Sequence, residues 1–499
     1  MTPARDLQTL LTGIVAAPAS EVRDVVQDSR EVTAGALFLA CRGRRSHGLR
    51  HLDAALAAGA GAVLWEPDEQ LTEPRVPAGI FAAAVPGLTP LAGEIASRFF
   101  GAPSVQLQVT GITGTNGKTT CAWLLAQALQ QLGTPAGYSG TLGAGLLPSL
   151  DTTAYTTPDA STVQRQLARL RDAGATCVAM EVSSHALDQD RVAGVRFRSA
   201  AFTNLTREHL DYHLNMQAYG AAKARLFAWP SLESRVINAD DAFGRELGAR
   251  RGAGRLLLTA RELSIEALGA LAGREGQWLH ASELRLDASG MTLNVRAVDQ
   301  RADLRLALIG EFNADNALTV LGLLYAMGHP LEAACAALAA CCAPPGRMQV
   351  VGDTGALIVV DYAHTPDALR KALRALRAHC SGRLSVVFGC GGDRDAGKRP
   401  LMGAVAAELA DRVTLTDDNP RSEAPAAIAA DIARGLGASV EYRIVHDRAA
   451  AIGLAMRDAR PGDVVLVAGK GHETEQVYGD QVRAFSDADV VRSQLGAPH

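Results

Sequence analysis

Nowhere in the 499-residue chain do eighteen apolar residues run uninterrupted, so no segment is expected to insert in a membrane as a helix. Excess basic charge is missing as well: 49 Lys and Arg face 53 Asp and Glu, a formal net charge of -4 at pH 7. Nothing electrostatic draws the chain to a polyanion, and nucleic acid is not an expected partner. The eight cysteines (Cys41, Cys121, Cys177, Cys335, Cys341, Cys342, Cys380 and Cys390) contain no Cys-x-x-Cys pair, and most sit among Ala, Leu and Val. Reduced core residues are expected, not a disulfide framework or a metal cluster. The opening segment from Met1 to Pro18 has a short apolar run but no basic region followed by a small-residue cleavage site, and a cytoplasmic location is expected. Internal repeats and long low-complexity tracts are also lacking, which excludes a solenoid.

What is present is an ordinary globular composition, 48% hydrophobic and 20% charged, in a chain too long for one hydrophobic core. Three domains are expected, with breaks at Phe99-Phe100-Gly101-Ala102-Pro103 and at Ala343-Pro344-Pro345-Gly346. Between the breaks, apolar runs such as Val105 to Thr110, Cys177 to Val182 and Arg198 to Phe202 alternate with helical patterns, the rhythm of a parallel α/β sheet. The rhythm resumes with Ala356 to Val360, Leu384 to Phe388, Val413 to Thr416 and Val464 to Val467. Each of these leads into a polar segment, and in open parallel sheets ligands gather at such carboxyl ends. The N-terminal part, with strands Ala36 to Ala40 and Ala62 to Trp65 around the helix Leu52 to Ala58, reads as a smaller α/β unit.

The segment Gly111-Ile-Thr-Gly114-Thr-Asn-Gly117-Lys118-Thr119-Thr120 lies between a strand pattern and a helix carrying Leu125, Ala128, Leu129 and Leu132. Glycines let backbone N–H groups close around phosphate oxygens, the helix N-terminus adds partial positive charge, Lys118 reaches the terminal phosphates and Thr119 offers a hydroxyl to magnesium. The common P-loop spacing would put its first glycine at Ile112, so the match is a variant. Glu181, closing an apolar strand, supplies the oxygen that a hard cation prefers. The polar run Thr203 to His213, with two histidines and two acids near its end, reads equally as a zinc site or a solvated turn when taken alone.

In chain order, Asp28-Ser29-Arg30, Gly114 to Thr119, Glu181-Val-Ser-Ser-His185, Asn204 to His213, Tyr219-Gly-Ala-Ala-Lys223, Gly310 to Asn316, Gly346-Arg347-Met348, Asp361-Tyr-Ala-His364-Thr-Pro366 and Asp418-Asn-Pro-Arg421 make the chain resemble the Mur ligase family over nearly its whole length. These are ATP-dependent enzymes that form the amide bonds of the bacterial cell-wall precursor. The resemblance implies a small N-terminal α/β domain for the UDP-muramoyl substrate (1–104), a central ATP-binding P-loop domain with a parallel sheet (105–342) and a C-terminal Rossmann-like amino-acid-binding domain (343–499). It implies a monomeric, cytoplasmic ligase of peptidoglycan synthesis that uses ATP and Mg2+ and acts on UDP-N-acetylmuramoyl-L-alanyl-D-glutamate and meso-diaminopimelate.

The family's site residues carry over by position. ATP falls to Gly114, Thr115, Asn116, Gly117, Lys118, Thr119 and Thr120, with Asn313 and Asn316 near the adenine and Arg347 and Asp361 near the ribose and phosphates. Ser29, Arg44, Arg45 and Ser46 are implied for the uridine nucleotide, and Thr156, Thr157, Ser183, Gln189 and Arg191 for the muramoyl dipeptide. Arg394, Asp418, Asn419, Pro420, Arg421, Gly469 and Glu473 are implied for diaminopimelate. Lys118, His209 and Lys223 stand at catalytic positions; Thr119, Glu181, His209 and Lys223 stand at magnesium positions, Lys223 as a carbamate. Asp-Asn-Pro-Arg accompanies diaminopimelate in the family, for a physical reason: its second carboxylate can take two parallel hydrogen bonds from the Arg421 guanidinium. Lysine would leave that arginine unpaired.

Overall fold

The computed structural model describes residues 4–44, 46–153, 155–287, 289–353, 355–437 and 440–496. The chain divides into two compact units, Met1–Leu279 with Gly322–His329, and His280–Leu321 with Pro330–His499. Among the described residues no helix is long and apolar enough to cross a membrane.

In the first unit, a small parallel sheet takes Asp24–Val26, Ala36–Ala40, Ala62–Trp65 and Phe81–Ala84 in chain order. A larger sheet runs Arg255–Ala260, Ser234–Asn238, Phe197–Phe202, Gln108–Thr113, Cys177–Glu181, Ala136–Gly140, all parallel, with Gly143–Leu146 antiparallel at the edge. Parallel strands covered on both faces must be apolar nearly throughout, and Cys177–Glu181 is buried at every position. The register sets Glu181 beside Ile112 and Phe202 beside Thr113. The chain fills one side of Gln108–Thr113 first and the other afterwards, so the strand order reverses there. Such a switch point is where a doubly wound sheet binds its ligand.

The second unit contains a six-stranded sheet in the order Gln349–Asp353, Leu357–Asp361, Val464–Ala468, Leu384–Phe388, Arg412–Leu415, Glu441–Ile444, parallel except for the first pair. Leu357, Ile358, Val359 and Val360 and the whole of Val464–Ala468 are buried, which is the composition a central parallel strand requires. The α/β class expected from the sequence is the class observed.

Two local expectations differ. The strand expected from Val105 begins at Gln108, because Pro103–Gln106 forms a helical turn. Proline at the first helical position loses no hydrogen bond, and its fixed φ suits the turn. Of the eight cysteines expected in the core, none forms a disulfide, but Cys342 is exposed and Cys41 and Cys380 are half-buried. Cys342 lies beyond the end of helix Leu331–Ala339.

The helices of the second unit are fastened by a buried ion pair. Arg448 opens Arg448–Asp458 and Asp487 opens Asp487–Gly496, and both side chains are fully buried. Arg448 donates through Nε to Asp487 Oδ1 at 2.7 Å and through Nη2 to Oδ2 at 2.8 Å and to the Ala468 carbonyl at 2.9 Å. Removing one partner strands the other charge in a dry interior. Asp487→Ala is therefore expected to destabilise this unit by about 3–5 kcal/mol, read as a lower denaturant midpoint; a loss under about 1 kcal/mol would contradict this account of the pair.

Candidate functional site

Strand Gln108–Thr113 delivers the chain into the loop 114–117, and helix Lys118–Gln131 leaves it. Gly114 lacks a side chain because none would fit: a Cβ there would lie 1.9 Å from Thr203 Oγ1. The loop is clasped from the end of the neighbouring strand. Asn204 Oδ1 accepts from Asn116 N at 3.0 Å, its carbonyl accepts from Thr115 N at 2.8 Å, and Thr203 Oγ1 donates to the Asn116 carbonyl at 2.6 Å. Lys118 folds over this cradle, its Nζ donating to the carbonyls of Gly114 (2.9 Å) and Thr115 (2.8 Å). Thr120 follows in the first helical turn.

Glu181, 1% exposed, ends its strand beside the loop. Thr119 Oγ1 donates to its Oε2 at 2.9 Å, as does Thr141 Oγ1 at 3.2 Å, while Thr141 N (2.9 Å) and the Tyr138 hydroxyl donate to Oε1. A hydroxyl and a carboxylate are hard oxygen donors, and with phosphate oxygens and water they form the set magnesium takes. The pair thus fits that ion. Among the described residues no group of three or more His, Cys, Asp or Glu could hold a metal by itself.

Lys223, on helix Met216–Ala224, is fully buried, and its Nζ donates to the Gly114 carbonyl at 2.7 Å and lies 4.4 Å from the Tyr219 ring centre. Burial, and next the charge of Lys118, hold its pKa well below the ordinary lysine value. As an ammonium it offers a metal nothing and as an amine only nitrogen, so the oxygen ligand that magnesium prefers requires carbamylation. His209 adopts a left-handed φ of 57° and stacks edge-on against His185 at 4.8 Å. Burial lowers the pKa of His209 and, with His209 and His213 as like charges, that of His185 to about 4. Both shifts favour the neutral imidazole.

The residues implied for the dipeptide join this framework. Thr157 Oγ1 donates to the Glu181 carbonyl at 2.9 Å and accepts from Ser183 N at 3.2 Å, and Thr156 Oγ1 lies 3.0 Å from Thr141 Oγ1. Arg191 donates to the Thr157 carbonyl (3.0 Å) and to Gln189 Oε1 (2.7 Å), and Gln189 donates to the Tyr212 hydroxyl (2.7 Å). Tyr212 in turn carries the Arg44 guanidinium 4.1 Å above its ring. Ser46 pairs with His51 at 3.2 Å, and Ser29 opens the turn Ser29–Glu31; neither has a direct hydrogen bond to the chain from Thr157 to Arg44 among the described residues. Arg45 lies outside the described residues.

The second unit holds the remaining positions. Asp361 ends its strand, accepting from Met348 N (2.8 Å) and Ala363 N (2.9 Å), and burial raises its carboxyl pKa. Asn313 donates to the Ile309 carbonyl at 2.8 Å and accepts from Asn316 at 2.9 Å. After strand Arg412–Leu415, the loop 418–421 places Arg421 at a φ of 53°, with Nη1 donating to the Gly392 carbonyl at 2.8 Å. Asn419 Nδ2 donates to Glu473 Oε2 at 3.0 Å. A Cβ on Gly469 would come within 2.7 Å of Asp418 Oδ2. Tyr362, its hydroxyl pKa raised first by burial and next by the charge of Glu473, carries the Arg347 guanidinium 4.9 Å from its ring centre. Arg394 is itself exposed.

Sequence reasoning missed Tyr138 and Thr141 around Glu181, Tyr212 as the link to Arg44, and Lys470. The only signal for Thr141 was a hydroxyl just past a strand end. Tyr212 stood in a quoted motif without a role.

Three family models match the chain: the Mur ligase family catalytic domain over residues 21–99, the Mur ligase middle domain over 112–324, and the Mur ligase glutamate ligase domain over 346–471. A protein of Alkalilimnicola ehrlichii named UDP-N-acetylmuramoyl-L-alanyl-D-glutamate--2,6-diaminopimelate ligase is 49% identical over 480 residues, 94% of each chain. One of the same name from Ectopseudomonas mendocina is 47% identical over 487 residues, covering 96% of this chain and 97% of its own. A solved structure of a protein of that name superposes with a TM-score of 0.72 at 34% identity over 99% of both chains. With such identity sustained across almost its entire length, the chain belongs to the Mur ligase family of ATP-dependent, amide-forming enzymes.

Proposed function

We propose that the chain joins meso-diaminopimelate to the D-glutamate of UDP-N-acetylmuramoyl-L-alanyl-D-glutamate in peptidoglycan precursor synthesis in the cytoplasm, as a monomer, with ATP converted to ADP and phosphate. The observation that carries the choice of amino acid is the loop 418–421, which presents Arg421, its guanidinium held by the Gly392 carbonyl, two residues after Asn419, the residue whose amide holds Glu473. Opposite charges at one mouth suit the zwitterionic far end of a diamino dicarboxylate: the guanidinium grips the second carboxylate and Glu473 receives the ammonium. Names shared with relatives at 47–49% identity support the same reading.

The first step brings two anions together, the substrate carboxylate and the γ-phosphate. Lys118 and the N–H groups of the loop 114–117 reduce that repulsion, with the N-terminus of Lys118–Gln131 behind them. Magnesium, when bound by Thr119 and Glu181 and at a second position by His209 and carbamylated Lys223, supplies positive charge to the phosphates. A carboxylate oxygen bonds to the γ-phosphorus as the bond to ADP breaks, giving an acyl phosphate. The free amine of diaminopimelate attacks the acyl carbon, loses a proton, and the tetrahedral adduct expels phosphate. Lys223 is suited to its modification because burial, and next the charge of Lys118, lower its pKa and so favour the neutral amine, the form that adds carbon dioxide.

Purified protein with ATP, magnesium and the UDP-muramoyl-dipeptide should release phosphate only when diaminopimelate is added; amine-independent release would favour a nucleotide switch instead. Lys118→Ala is expected to lower kcat for amide formation by about 10²–10³-fold, and a variant that keeps its rate removes the electrostatic basis of the mechanism. Arg421→Ala should reduce kcat/KM for diaminopimelate by roughly 10²-fold while lysine, without the second carboxylate, is affected little. Competition between the two amino acids measures this, and an unaltered preference sinks the role given to Arg421.

A further inference from the structure

We propose that Lys470 is a positioning residue for the amino-acid substrate: it locks the Glu473 carboxylate and the Asn419 amide into one arrangement that leaves a single carboxylate oxygen facing an incoming ammonium group. The proposal rests on the reading above and adds a residue to it.

Strand Val464–Ala468 ends in Gly469-Lys470-Gly471. Both glycines have positive φ, 114° and 56°, and a Cβ on Gly471 would lie 2.7 Å from Tyr362 Cβ. The backbone is thus pressed against its neighbours, and the Lys470 side chain is fully buried. Nζ donates to Asn419 Oδ1 at 3.0 Å and to Glu473 Oε2 at 2.9 Å. Asn419 closes the triangle, its Nδ2 donating to the same Oε2 at 3.0 Å while Oδ1 also accepts from Val477 N at 3.0 Å.

Each contact constrains the next. Two donors, Nζ and Val477 N, require an oxygen at Oδ1, so the amide cannot flip and Nδ2 must face Glu473. With Oε2 holding two donors, Oε1 has no protein hydrogen bond among the described residues, and the Glu473 side chain is 34% exposed. A buried ammonium is costly unless paired. Here its pairing fixes a carboxylate that would otherwise sample several rotamers, and binding then loses less freedom on ordering. Lys470 touches no reacting atom in this scheme, so its effect belongs in KM for one substrate and not in kcat.

The test is steady-state kinetics of the full chain with each of the three substrates varied in turn. Lys470→Met should raise KM for diaminopimelate about tenfold or more, with kcat and the other two KM values within about twofold. Because Lys470 acts through Glu473, the double variant Lys470→Met/Glu473→Gln should be little worse than Glu473→Gln alone. Lys470→Gln, which keeps a donor in the pocket, carries the test if the methionine variant does not fold. An unchanged amino-acid KM in a folded variant, a loss confined to kcat, or additive losses overturns the proposal. Turnover by the unsubstituted protein is a separate readout: failure to join diaminopimelate sinks the function, and the KM ratio is then read on whichever amino acid is joined.

Discussion

Two lysine side chains, Lys118 and Lys223, donate to the one carbonyl of Gly114, at 2.9 and 2.7 Å. The rest of the first unit follows from making that possible. Like charges this close repel, and after burial this repulsion is the second cause that lowers the Lys223 pKa. Gly114 must be bare because Thr203 occupies the space of its missing side chain, and Thr203 is there because it holds the Asn116 carbonyl. A cradle able to gather phosphate is thereby held from outside by bonds to the next strand, and across itself by Lys118.

The second unit solves the opposite problem. Its loops must present charge to a small zwitterion, and it steadies them from beneath with cations that never reach solvent. Arg448 spans Asp487 and the Ala468 carbonyl, while Lys470 holds Asn419 and Glu473. Both sit at or just beyond the carboxyl end of Val464–Ala468, which also sets Gly469 against Asp418. One central strand thus anchors both the packing of the last helix and the orientation of the recognition loops.

The α/β character and most strands were legible because a parallel sheet covered on both faces demands apolar runs of a length that little else produces. The phosphate loop was legible from glycine spacing between a strand and a helix. Lys223 was not legible from spacing: a lysine on a short helix resembles a solvated side chain, and only the fold carries it to Gly114. Lys470 escaped for the same reason, since lone lysines are seldom buried and the residues that bury this one lie far along the chain. Strand starts were misjudged where proline chemistry intervened, as at Pro103.

Arg421 is held by its backbone as well as by its side chain: its N–H donates to Val477 O at 3.1 Å, and its carbonyl accepts from Gly479 N at 2.7 Å. The hairpin of Glu475–Tyr478 and Gln481–Ala484 is therefore the splint that keeps the arginine in a left-handed conformation. Transplanting Asp418 to Arg421 into another scaffold would move the guanidinium without its splint. Evolution or design of a new amino-acid preference in this architecture has to remodel two segments, more than fifty residues apart in sequence, as one piece.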